Sequence, residues 1–452
     1  MTAPAFSPTE DRAFLGHPRG LGVLAFTEAW ERFSFYGMQT LLVLYMVDLL
    51  LTPGHAERVL GLAGLRHALE GVMGPLSTQA LASMIFGLYS SLAYFLPVFG
   101  GLLGDRLVGQ HKMVTAGAVL MAAGHLLMAF EAPFLLALVL LIVGSGCLKG
   151  NITTQVGSLY APDDRRRTDA FQIFQFGINI GVVAAPFLCG TLGEVYGWHY
   201  GFGAAGIGML IGLAIYLTGK RHLPPDRRRH HAAAASRGAT RGGWRTVAGL
   251  MFVLLVVILF LAPGNQMGNV YPLWIRDHID RHVGAFQIPA TWFLSGTAIA
   301  SLALPPLMLR VWSAQAARGT EWDEIGKLRF GSDIATLAYA LLAAIATLGG
   351  DGASWLWLIG YHALFAVAYL FIWPVGMALF ARAAPPAANA MFIGIFYTSV
   401  FFANNIVGVV GGWYGRMTPG AFWSLQAAIG LCGFVLILMF GGPLRRVLGE
   451  RE

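Results

Sequence analysis

Long apolar runs constrain this chain more than anything else in it. A helix needs about 20 mostly apolar residues to cross the roughly 30 Å hydrocarbon core of a bilayer. On that ruler twelve candidates stand out, at 21–50, 79–103, 112–130, 134–156, 169–192, 201–219, 246–275, 289–311, 332–350, 354–380, 387–412 and 420–442. The first and seventh exceed the ruler, which implies tilt or extension into water. Charged residues make up 12% of the chain, about half the share usual in soluble proteins. So few charges cannot cover the surface of a 452-residue protein in water. The 58 glycines fit close-packed membrane helices. Cys147, Cys189 and Cys432 lie in apolar runs without paired or metal-ligand spacing, so no redox, zinc or other metal site is expected. The first twenty residues lack the basic-then-apolar order of a signal peptide.

Orientation follows from lysine and arginine, which concentrate on the cytoplasmic side of membrane proteins. With the N-terminus inside, these residues divide 23 to 5 in favour of the cytoplasmic segments, and Arg32 and Lys149 remain within spans. Both termini are therefore expected in the cytoplasm. The net charge of +7 is a topology signal and points to no nucleic acid. The basic, Pro/Ala/Gly-rich segment 220–245 separates six spans from six and reads as a cytoplasmic linker, with anionic lipid headgroups as an available contact. The expected domains are thus 1–219, a six-helix bundle, the linker 220–245, and 246–452, a second six-helix bundle. This layout resembles a major facilitator transporter, and GGLLGDRLVGQHK at 100–112, with Asp105, Arg106 and Lys112, resembles that superfamily's loop motif.

An ionised side chain deep in a span costs about 3 kcal/mol or more and marks function by default. Four qualify: Glu28, Glu31 and Arg32 in span one, and Lys149 in span four. Their charges sum to zero. Glu28 and Arg32 are one helical turn apart, and Glu31 lies on the same side of the helix. Both spans place these residues about 12–18 Å from the cytoplasmic side. One buried ion network at mid-membrane is expected, with a static ion lattice, or snorkelling of Lys149, as the structural alternatives. A carboxylate paired with a cation has two states, so its protonation can free the cation for a substrate anion.

Glu28-Ala-Trp-Glu31-Arg32-Phe33-Ser34-Phe35-Tyr36-Gly37 resembles the ExxER-F-x-Y-Y-G motif of the proton-dependent oligopeptide transporter family. The likeness continues through LKGN at 148–151, FQFGINIG at 174–181 and GWHYGFG at 197–203, and more loosely through IPATWF at 288–293 and WPVG at 373–376. It covers nearly the whole chain. The resemblance implies a multi-pass inner-membrane monomer with twelve spans that imports di- and tripeptides with protons and uses no other cofactor. It also implies that Arg32 and Lys149 meet the substrate carboxylate. Tyr36, Tyr94 and Asn179 then line the pocket, and Glu28 and Glu31, with Arg32 and Lys149, couple the proton. Helix–helix hydrogen bonding is the alternative for Tyr94 and Asn179.

Three departures stand out. Where the family usually has an outer-gate Arg–Glu pair, this chain has Gln39 and Asn265, so an amide gate is expected. Where the family has a Glu in span ten and an Asn in span eight, both facing the peptide amine, this chain has Tyr369 and Thr297. No acidic residue stands at mid-depth in the second six spans. His362, seven residues before Tyr369, is a candidate extra proton site, or else a packed histidine. A dipeptide's ammonium loses an ionic partner here, so a proton-coupled carrier of a non-peptide organic anion is the alternative cargo reading. No nucleophile elbow, metal cluster or phosphate loop supports a membrane enzyme or receptor.

Overall fold

The computed structural model describes residues 11–161, 164–226, 243–384 and 389–448. Lipid offers no partner for a bare N–H or C=O, so apolar runs close their hydrogen bonds internally as helices. Eleven described helices are long and apolar enough to cross a membrane. They are spans one (Arg19–Leu50), two (Thr78–Val108), four (Phe134–Ser158), five (Arg166–Tyr196), six (Trp198–His222), seven (Gly243–Gly268), eight (Ala290–Ala317), nine (Glu324–Leu348), ten (Leu356–Ala383), eleven (Met391–Arg416) and twelve (Pro419–Leu448). The expected third span is the 18-residue helix Gln110–Leu127, with His111, Lys112 and His125 within it. It packs on spans four and six. Of the linker, residues 227–242 lie outside the described residues. Its start is tied down: the Asp226 carboxylate accepts from His111 N–H at 3.1 Å, and the His111 ring donates to the Pro224 carbonyl at 2.8 Å. Asp226 thereby caps span three, whose own N-terminus has no side-chain cap.

The chain folds into two compact units, Met1–Gly74 with Leu92–Ala232 and Pro75–Ser91 with Ala233–Glu452. Span two is therefore shared. Its first half joins the second unit because a Cβ on Gly87 would stand 2.6 Å from Gly408 Cα of span eleven, a separation only glycine allows. Neutral hydrogen bonds flank this approach. Gln79 donates to the Gly411 carbonyl (3.0 Å) and to Ser83 Oγ (2.8 Å), and Ser83 donates to Asn269 Oδ1 (3.0 Å). Asn269 in turn donates to Gln266 Oε1 at 3.0 Å. Further along span two, Pro97 lacks the amide that would close on the Ala93 carbonyl. Ser145 Oγ of span four donates to that carbonyl at 3.3 Å instead.

Span seven is long because it is broken. Pro263 lies near the end of its helix, a tight turn follows at Asn265–Gly268, and a separate helix runs over Val270–His278. Two features outside the spans escaped the apolar ruler. One is a 12-residue helix, Leu62–Met73, between spans one and two. The other is a pair of two-residue ladders, Ile279–Asp280 beside Ala353–Ser354 and His282–Val283 against Phe286–Gln287.

Candidate functional site

Span one presents Glu28, Glu31, Arg32, Phe35 and Tyr36 at spacings of three, four, seven and eight, one face of a helix. Glycine lets a neighbour approach closely behind this face. A Cβ on Gly181 of span five would lie 2.9 Å from Phe33 N and 3.1 Å from Arg32 Cβ. The three charged residues are buried, Glu31 completely. Arg32 Nε donates to Glu28 Oε1 at 2.9 Å and stands 2.6 Å from Glu31 Oε2. The N–H is aligned with Glu28 alone, so Glu31 is ion-paired but not hydrogen-bonded, and both of its oxygens lack a hydrogen-bond partner, as does Glu28 Oε2. Two carboxylates thus compete for one guanidinium nitrogen. Protonating either leaves the pairing to the other.

Lys149 differs from the expected network. Its Nζ is buried and makes no hydrogen bond, and it joins no ion pair among the described residues. The ammonium instead sits 3.8 Å from the Phe35 ring centroid and 4.7 Å from that of Tyr94. Ring faces attract cations through their quadrupole, so the aromatic floor replaces a counter-ion. Tyr94 also faces Tyr36, with hydroxyl oxygens 3.4 Å apart. Asn179 is half-buried and makes no side-chain hydrogen bond among the described residues. The first unit therefore brings Glu28, Glu31, Arg32, Lys149, Tyr36 and Tyr94 into one cluster, with Phe35, which charge-based reading passed over, at its centre. The available signal was its position: three residues after Arg32, on the charged face.

In the second unit the expected residues meet different partners. His362 is buried, with Nε2 2.9 Å from Tyr271 Oη and Nδ1 2.8 Å from Thr297 Oγ1. Thr297 also donates to Met267 Sδ at 3.8 Å, which leaves its oxygen to accept from Nδ1–H. Tyr271 then donates to Nε2, and the ring is a neutral imidazole used at both nitrogens. Tyr369 stacks on Trp373 with centroids 6.1 Å apart, and Tyr397 meets Trp373 edge-on at 5.5 Å. Asn265 donates to Asn404 Oδ1 of span eleven at 3.2 Å. Gln39, in the first unit, is half-buried. The amides Gln79, Gln266, Asn269 and Asn404 carry no charge to flag them in an apolar sequence, and reading the charges alone missed them.

Known proteins resemble this chain along nearly its whole length. A peptide transporter, YePEPT, of Yersinia enterocolitica is 29% identical over 98% of this chain and 97% of its own. A di-/tripeptide transporter of Lactococcus lactis subsp. cremoris is 26% identical over 97% and 98% respectively. Among solved structures, a peptide transporter POT in complex with sulfate superposes with a TM-score of 0.84 at 24% identity, over 98% of this chain and 99% of that one. A POT family transporter in complex with 5-aminolevulinic acid gives 0.81 at 23% identity, over 96% and 98%. Both carry the major facilitator fold expected here. The family model for POT transporters matches residues 111–238 and 236–420, well over half of the sequence. Helical architecture, the span-one motif and these likenesses converge: the chain belongs to the POT family of membrane transporters.

Proposed function

We propose that this protein is a proton-coupled symporter that carries di- and tripeptides, or peptide-like carboxylates, inward across the bacterial inner membrane, with both termini in the cytoplasm. The observation that carries this reading is the buried Lys149 ammonium without an ion-pair partner among the described residues, on the same cluster as Arg32. A substrate carboxylate supplies the anion that Lys149 lacks. Protonation of Glu28 or Glu31 loosens the hold on Arg32 and lets the guanidinium take the second carboxylate oxygen. Tyr36, Tyr94 and Asn179 supply neutral hydrogen bonds around it. The proton is the coupling ion, and transport completes without chemical change of the substrate.

A second cargo reading, a small non-peptide carboxylate, is favoured by one observation. Tyr369 stands on stacked Trp373 where an ammonium would need an acid. Uptake into liposomes under an inward proton gradient separates the readings. Dialanine, its N-acetylated form and a simple dicarboxylate are compared. Strong preference for the free amine excludes the second reading, and no accumulation of any of the three refutes the first.

A further inference from the structure

Phe35 carries no charge, is fully buried, and has both cations of the cluster against its ring: Lys149 Nζ at 3.8 Å from the centroid and Arg32 Cζ at 5.7 Å. Its edge also meets Tyr94, with centroids 6.1 Å apart. A buried ammonium within electrostatic reach of Glu28 and Glu31, three of whose carboxylate oxygens lack hydrogen bonds, would ordinarily pair with one of them. It does not do so here. The ring face offers attraction without an acceptor atom, so it holds the cation while leaving its N–H groups weakly committed.

We propose that Phe35 is a positioning residue for transport: its ring seats Lys149 away from Glu28 and Glu31, so that the ammonium waits for a substrate carboxylate instead of being quenched by the protein's own. This inference rests on the reading of Lys149 as the carboxylate-binding cation. Without the ring, the ammonium pairs with Glu28 or Glu31, and the substrate must break that pair before it binds. Affinity for the carboxylate falls, while the rate of the loaded carrier changes little.

Two measurements test it. In liposomes, Phe35→Leu is expected to raise KM for dialanine about tenfold, with kcat within about twofold, while Phe35→Tyr and Phe35→Trp stay near wild type because each keeps a ring face. On a Lys149→Ala background, Phe35→Leu should add nothing. A loss of kcat instead of KM, or an equal effect without Lys149, overturns the proposal. The second measurement needs no substrate. The chain has four lysines, Lys112, Lys149, Lys220 and Lys327. With the lysine ε-carbons labelled, NMR should show the Lys149 methylene furthest upfield from ring currents, identified by its loss in Lys149→Arg, and Phe35→Leu should move it toward the other three. An unshifted Lys149 signal in the wild type overturns the seat. If no substrate accumulates but the upfield signal is present and depends on Phe35, the transport reading fails and the seat stands.

Discussion

Each of the two compact units holds a buried polar cluster, and the two clusters differ in kind. The first concentrates ionised groups at one level: two carboxylates on one guanidinium nitrogen, and an ammonium on aromatic rings. Its hydrogen bonds are left incomplete. In the second unit a neutral cluster is paired around His362, engaged at both nitrogens, and along the amides from Gln79 to Asn269. Incomplete charge pairing has several states of similar energy, which a proton or substrate can shift. The His362 ring, with a partner at each nitrogen, has one. On the proposed function, coupling belongs to the ionised cluster of the first unit and the His362 cluster is framework.

Removing Arg32 should break the comparison most severely. Arg32→Ala strands two buried carboxylates, and losing one partner of a buried ion pair costs about 3–5 kcal/mol. Proton-driven uptake is expected to fall more than about a hundredfold, with a lower melting temperature in detergent. Glu31→Gln keeps the shape and removes one titrating group. Uphill accumulation should drop about tenfold or more, a coupling energy of about 1.4 kcal/mol, while substrate exchange at equal pH persists. Unchanged accumulation would remove Glu31 from the coupling mechanism.

The second unit gives smaller effects of another kind. Gly87→Ala places a methyl against Gly408 Cα and should cost about 1–3 kcal/mol of packing. Slower uptake, with enhanced reactivity of cysteines introduced at the Thr78 end of span two, is the expected outcome. His362→Ala leaves the Tyr271 and Thr297 hydroxyls without this partner, at about 1–3 kcal/mol for each buried group left unsatisfied. The melting temperature should fall while the pH profile of uptake keeps its midpoint. A moved midpoint would make His362 a proton site and end the division of labour between the units.

Much of this organisation is legible in the sequence because lipid imposes a length on every span and a penalty on every charge. The expected span limits fall within a few residues of most observed helices, and Glu28, Glu31, Arg32 and Lys149 could be picked out by their charge alone. What stayed hidden carries no such penalty. The Leu62–Met73 helix holds Arg66 and Glu70 and is too short to span. Asn269 and Gln266 act through tertiary partners. Phe35 is one of 30 phenylalanines in a chain where aromatic residues are ordinary. Its role comes from a lysine 114 positions away, which no local pattern records.

The hydroxyl of Ser145 under the Ala93 carbonyl has a mechanical consequence for span two. A proline break in the ladder with a bare carbonyl could open at little cost, since nothing holds the open side. Here the open side is fastened to span four, and drawing the two helices apart would release that bond without gaining another, because Pro97 has no N–H to give. Span two is thus pinned to span four at its proline. Opening span two at this level costs a hydrogen bond between two spans of the first unit.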